Sequence, residues 1–187
     1  MKKIKWVWIA ILFVTTANAQ FIKEKSVNAL IGYGLSYPNN SLGDVYNDGL
    51  YLQGELVLKA ASWVSFRPYA GFIFTGNQGK DFNGDPTDES ASSKALLLGG
   101  KARLRGPIPY VAPYLELGVG TSIGSFRTMT YFDDFDKTGV IYHMPFSFGL
   151  ELGKNHNVDL GFTYYFQPNV EQMVGAFAVG LNIPLRS

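Results

Sequence analysis

The chain is predicted to be all-β: an eight-stranded antiparallel up-and-down transmembrane β-barrel with a polar, filled interior. Three observations point there. Eight stretches alternate at a period of two, with one face almost wholly apolar and the other mixing glycine with polar and charged side chains. Their connections alternate between long and short. No run after residue 20 is long and apolar enough for a membrane helix, so a closed sheet is the only spanning solution left.

The first residues form a targeting segment. Lys2, Lys3 and Lys5 precede a short apolar run, Trp6 to Val14, and Ala17-Asn18-Ala19 is a small-residue cleavage site. The apolar run covers only about 13 Å as a helix, against a hydrocarbon core of about 30 Å. A signal peptide over 1–19 and a barrel domain over 20–187 are therefore expected. Removing the three leader lysines takes the formal charge from +1 to −2, a mild value with no sign of nucleic-acid binding. The chain has no cysteine, which excludes a disulfide framework and a cysteine-linked lipid anchor.

Strands are expected over 26–37, 50–60, 63–75, 94–105, 110–123, 140–152, 157–166 and 173–185. The first sets Val27, Ala29, Ile31, Tyr33, Leu35 and Tyr37 against Asn28, Gly32, Gly34 and Ser36. In the second, Leu50, Leu52, Leu56 and Leu58 oppose Tyr51, Gln53, Glu55 and Lys59. The third carries Arg67, Tyr69 and Gly71 on its polar face. The fourth places Leu96, Leu98, Ala102 and Leu104 opposite Lys101 and Arg103. Tyr114, Glu116, Gly118 and Gly120 mark the polar face of the fifth. In the sixth, Tyr142, Met144, Phe146, Phe148, Leu150 and Leu152 oppose His143, Ser147 and Glu151. Asp159, Gly161 and Tyr165 mark the polar face of the seventh. The last sets Met173, Phe177, Val179, Leu181, Ile183 and Leu185 against Ala176, Gly180 and Asn182.

Pro38–Gly49, Gly76–Ser93, Gly124–Gly139 and the shorter Gln167–Gln172 form the long set of connections. Ala61-Ser62, Gly106–Pro109 and Gly153–His156 are tight turns. In membrane barrels the short turns are periplasmic and the long loops extracellular, which orients the molecule.

A soluble eight-stranded barrel has the same alternation with its faces reversed. The apolar face here carries one charge, Lys94, at a strand end from which it can reach the interface. The opposite face is rich in glycine, which weakens a water-facing strand but makes room for long neighbours in a crowded interior. Charges on that face balance: Glu55, Glu116, Glu151 and Asp159 against Lys59, Arg67, Lys101 and Arg103. Buried unpaired charge is costly, so these eight residues are expected to form an ionic network in the lumen. Tyr51, Tyr69, Tyr114, Tyr165 and His143 share their face.

Glycine–aromatic strands such as Pro113-Tyr114 to Gly118, in this architecture, resemble the small outer-membrane barrels of the OmpA-transmembrane-domain and OmpX type. The resemblance spans the expected mature chain. It implies a cell outer membrane location and a structural, adhesive or resistance role; a few such barrels are lipid-modifying enzymes. Two departures stand out: the sequence closes on Leu185-Arg186-Ser187 rather than on an aromatic residue, and no periplasmic domain is expected after the last strand. Pro68, Pro113 and Pro145 fall within strands, where each removes a ladder hydrogen bond. A bulge is the expected accommodation at Pro145. Arg67-Pro68-Tyr69-Ala70-Gly71 and Ala112-Pro113-Tyr114-Leu115-Glu116 are weak echoes of one another.

No cofactor, catalytic or metal residue is assigned. His143 and Ser147 share a face, but four residues of strand separate them by roughly 13–14 Å, beyond direct hydrogen bonding. Asp81 to Glu89 has alternate oxygen ligands of the kind calcium uses, without the glycine placement of an EF-hand; a solvated acidic loop is the commoner explanation of such a stretch. Tyr131, Phe132, Asp133, Asp134 and Phe135 place aromatics on a loop and form the candidate contact surface. The expected function is non-enzymatic, structural or interactive through loops 76–93 and 124–139. Outer-membrane lipid is the expected surround, a protein partner the expected contact, and the chain a monomer or a subunit of an envelope complex. A narrow channel and a lipid-modifying enzyme are the alternatives.

Overall fold

Alternation of β-branched, aromatic and leucine side chains with small and polar ones favours extended backbone, and each such segment finds an antiparallel neighbour on both sides. The structure is a computed structural model that describes residues 22–38, 45–76, 79–81, 83–130, 134–168, 170 and 172–185. The leader and the expected cleavage after Ala19 lie outside these residues, as do Tyr131, Phe132 and Asp133.

The strands are β1 (Glu24–Pro38), β2 (Asn47–Lys59), β3 (Val64–Thr75), β4 (Gly79–Lys80), β5 (Pro86–Thr87), β6 (Ser90–Arg105), β7 (Val111–Met129), β8 (Asp134–Leu152), β9 (Val158–Phe166) and β10 (Gln172–Pro184). All but β4 and β5 form one closed barrel in the meander order β1-β2-β3-β6-β7-β8-β9-β10, with β10 returning to β1. Leu30 pairs with Gly180 on one side and Gln53 on the other, so the first strand has no free edge. Eight barrel strands agree with the expected number, and every boundary but two falls within four residues of expectation.

The two exceptions are informative. β7 continues to Met129 and β8 begins at Asp134, so most of the expected loop 124–139 is a paired hairpin. Hydrophobic alternation marks only strand that faces lipid. Beyond the bilayer the outward side chains turn polar while the hydrogen-bond ladder continues, so the pattern is lost before the strand is. The loop after β3 likewise contains the small β4–β5 hairpin, which docks on the barrel wall through paired amides of Tyr46 and Lys80.

The prolines are absorbed without bulges. The β7–β8 ladder skips the positions facing Pro145 and resumes at Gly120–His143 in the register it held at Leu117–Phe146. The β2–β3 ladder likewise skips the position of Pro68 between Glu55–Tyr69 and Leu58–Phe66. The bulge expected at Pro145 is therefore replaced by a local ladder gap. A closed sheet holds its register from both flanks, so one missing donor does not shift it.

Ile31, Leu117 and Val140 are at least 60 % exposed, whereas Arg67 and Arg103 on the opposite face are 1 % exposed. Leu, Phe, Val and Ile side chains cover the outside of the barrel in a continuous belt. A soluble barrel would reverse this. Water as the solvent of that belt would cost heavily at about 25 cal/mol per Å² of apolar surface, so hydrocarbon is the medium the wall requires.

Candidate functional site: the lumen and the extracellular rim

Inward-facing side chains build the lumen in layers. Nearest the periplasm lies an ionic layer supplied by six strands. Arg67 on β3 donates from Nη1 to Glu55 Oε2 at 2.9 Å and from Nη2 to Glu151 Oε1 at 3.0 Å. Arg103 on β6 donates from Nε to Glu116 Oε1 at 2.6 Å, and from Nη1 to Glu151 Oε1 and Asp159 Oδ1 at 2.8 Å each. Lys101 Nζ bridges Glu55 and Glu116 at 2.6 and 2.8 Å. Asn28 donates to Asp159, and Gln53 Nε2 to Glu55 at 2.8 Å. Every carboxylate has at least two basic or amide partners, which is what makes their burial tolerable.

Two residues change places relative to the sequence reading. Lys59 does not enter this layer: it sits at the periplasmic rim, paired with Glu24 at 2.7 Å, with both side chains partly in water. Arg105 takes the fourth basic position, its Nη1 2.9 Å from Glu151 Oε2 and its Nη2 bonded to the Ser62 carbonyl. The signal for Arg105 was its parity with Lys101 and Arg103. Its position at the last residue of the strand hid which way it leans.

Tyrosines and glycines interlock above the ions. Tyr114 lies over the facing glycines of the next two strands, and a methyl group built on Gly149 would stand 2.6 Å from its Oη. The Arg103 guanidinium stacks on the Tyr114 ring, 3.5 Å from its centroid. Tyr69 repeats the device over Gly99 and Gly120, at 2.6 and 2.5 Å. The weak echo between the Pro-Tyr segments of β3 and β7 thus corresponds to one packing unit used twice.

His143 is fully buried in the middle of the lumen. Its Nε2 shares a 2.5 Å hydrogen bond with Tyr69 Oη, and its Nδ1 a 2.7 Å hydrogen bond with Ser122 Oγ. Ser147 bonds instead to Thr163 at 2.9 Å. The Ser122–His143 pair was missed in the sequence because the facing register of β7 and β8 decides it. Both residues are 0 % exposed.

Toward the extracellular end the lumen turns apolar. Ile73, Leu97, Phe126, Ile141 and Val174 are all buried there with Tyr51 and Tyr165, whose hydroxyls share a 2.8 Å hydrogen bond. The β9–β10 connection turns inward: Gln167 Nε2 donates to Ser122 Oγ at 3.0 Å, and Val170 packs into the apolar layer. A hydroxyl and amide layer of Ser36, Thr75, Ser93, Thr128 and Gln172 completes this end. The polar interior expected from sequence is therefore polar in its periplasmic half and mixed above. Parity already placed Ile73 and Leu97 inward, so the signal was present in the sequence.

Compared with known proteins, the closed barrel is similar in fold to the crystal structure of Neisserial surface protein A, with a TM-score of 0.57 and 15 % identity, covering 86 % of this chain and 97 % of that one. This is the fold of the small outer-membrane β-barrels. The attachment invasion locus protein Ail of Yersinia pestis also matches, at TM-score 0.49 and 12 % identity over 87 % of this chain and 98 % of that one. So does the outer membrane enzyme PagL, at TM-score 0.44 and 13 % identity over 86 % and 99 %. No protein-family model matches the sequence, and no curated protein matches it.

The acidic loop of this outer-membrane barrel is a turn rather than a converged ligand set. Asp81 Oδ1 accepts the amides of Asn83 and Asp85 at 2.9 and 2.8 Å, and among the described residues no group of three acids or histidines is placed to hold a metal ion. The Asp85 amide first, then that of Asn83, holds the Asp81 carboxyl below the usual carboxylate range. Asp81→Ala is expected to lower hydrogen-exchange protection at Asn83 and Asp85 several-fold while leaving barrel melting unchanged; unaltered protection would show that the carboxylate does not order this turn. Of the expected contact surface, Asp134 is exposed at the start of β8 and Phe135 pairs through its backbone with Thr128. The paired β7–β8 ladder reaches Met129 and Asp134, on either side of the residues outside the description.

Proposed function

We propose that the protein is a non-enzymatic outer-membrane barrel that acts through its extracellular face, with a closed lumen serving as the rigid support. The observation that carries this reading is the asymmetry between the two ends. Periplasmic turns are tight, whereas β7 and β8 run about 20 Å beyond their last lipid-facing side chains, Ile123 and Val140, at about 3.4 Å per residue. The β4–β5 hairpin is tied down beside them, with Lys80 Nζ 3.0 Å from Asp48 and Tyr33 donating to the same carboxylate. Stiff projections on a barrel are suited to presenting a contact surface, because little conformational entropy is lost when a partner docks.

Against catalysis stand the full burial of Ser122 and His143 and the pairing of Ser147 with Thr163. Against conduction stand the buried guanidinium, tyrosine and apolar layers that fill the lumen in succession. Planar-bilayer recordings of the refolded protein are expected to show no discrete conductance steps; salt-dependent steps would replace this reading with a channel. The interaction itself is tested by replacing residues 127–136 with a two-residue turn. The variant should keep the urea midpoint of the intact barrel and lose the partners that cross-link to the intact protein on native membranes. An identical set of cross-linked partners would overturn the proposal, and a change in lipid A mass that disappears in His143→Ala would establish an enzyme instead.

A further inference from the structure

Outward rows of side chains cross β3, β6, β7 and β8 in strict register. Phe72, Leu96, Ile123 and Val140 form the last wholly apolar row. The next row is Phe74, Lys94, Ser125 and Thr138, and the one beyond it contains Ser92, Arg127 and Asp136. Lys94 therefore stands one step past the apolar edge of its strand and Arg127 two steps past the edge of its own. Both are exposed, and neither makes an ion pair among the described residues. With Ser92 and Ser125 they line a cleft of about 470 Å³, closed on one side by the β4–β5 hairpin and flanked by Asp88 and Asp136.

We infer that this cleft holds the phosphate of an outer-leaflet lipid headgroup. The position argues for a lipid: the acyl chains of such a molecule lie against Leu96, Ile123 and Val140, which places its phosphate at the height of Lys94. Lys94 and Arg127 carry charged heads on long flexible stems, which lets both reach a group held at the interface. The chemistry argues for phosphate. An ammonium and a guanidinium beside serine hydroxyls supply charged and neutral donors, and the guanidinium fork matches phosphate oxygens in pairs. Asp88 and Asp136 neutralise the cleft as a whole, so a diffuse polyanion gains nothing from it, whereas one phosphate in contact with both cations does.

The test is lipid selectivity of the protein refolded into phosphatidylcholine vesicles, measured by spin resonance with a small fraction of spin-labelled phosphatidic acid or spin-labelled phosphatidylcholine. Phosphatidic acid is expected to be preferred about fivefold in the protein-bound shell, the effect of roughly one basic residue near a membrane surface. Lys94→Gln with Arg127→Gln should bring the preference to parity, while Lys94→Arg with Arg127→Lys retains it. Lys23→Gln with Lys25→Gln, at the periplasmic mouth, should leave it unchanged. Parity in the unaltered protein, a preference that survives the double glutamine variant, or one lost with Lys23 and Lys25 would each overturn the inference. Abolition by inorganic phosphate at matched ionic strength would also overturn it, by showing a site for the free anion rather than for a lipid.

Discussion

Glu116→Lys is expected to unfold the barrel. Glu116 is 1 % exposed and lies 2.6 Å from Arg103 Nε, 2.8 Å from Lys101 Nζ and 3.7 Å from Arg67 Nε. Removing one partner of a buried ion pair costs about 3–5 kcal/mol, and reversal places a cation among three others with no water to screen them. Most small domains hold only about 5–15 kcal/mol in reserve. The expected reading is loss of the compact, fast-migrating form in unheated gel electrophoresis and a large fall in the urea midpoint of the vesicle-refolded protein. Glu116→Gln, which keeps the shape and loses the charge, should fall between this variant and the unaltered protein. Lys59→Gln supplies the contrast. Its pairing with Glu24 is exposed at the rim, where such pairs contribute about 0–1 kcal/mol, so its midpoint should barely move. Equal midpoints for Glu116→Lys and Lys59→Gln would show that the ionic layer does not hold the barrel together.

Gly161→Ala is expected to cost about 1–3 kcal/mol by overpacking, because a methyl group there meets the tip of Tyr114, with Cζ 3.3 Å away. The Tyr114 ring cannot retreat freely, since Arg103 is stacked on its other side at 3.5 Å. Tyr114→Phe removes the hydroxyl that makes the closest approach, so the double variant should recover part of the loss. A double-mutant cycle on urea midpoints reads this coupling directly. Additive losses would mean that the glycine serves the backbone and not the tyrosine. Gly100→Ala is the control: nothing lies within 4 Å of its added methyl group, and its midpoint should hold or rise.

Much of this architecture was legible because hydrocarbon imposes a strict rule. Nearly every outward position on a spanning strand is apolar, so Leu50, Leu52 and Leu56, or Phe146 and Phe148, announce their face without further context. The same rule explains the misjudged hairpin. At Ser125 and Arg127 the strand leaves the bilayer, the constraint on its outward face ends, and pairing with β8 continues unseen. Inward residues obey a weaker rule. Composition shows that Glu116 and Arg103 share a face, but not that Lys59 leans to the rim while Arg105 turns inward to Glu151.

Strand count, the sidedness of each strand and the balance of charge in the lumen could be read from local alternation against a bilayer, and the expected orientation from the lengths of the connections. Which partners meet became visible in the closed fold: Ser122 rather than Ser147 at His143, Tyr114 over Gly149 and Gly161, and Lys94 and Arg127 in one cleft. Those meetings depend on register between strands and on closure of β10 against β1. Register is settled by the whole ring of ladders at once, and no single strand carries it.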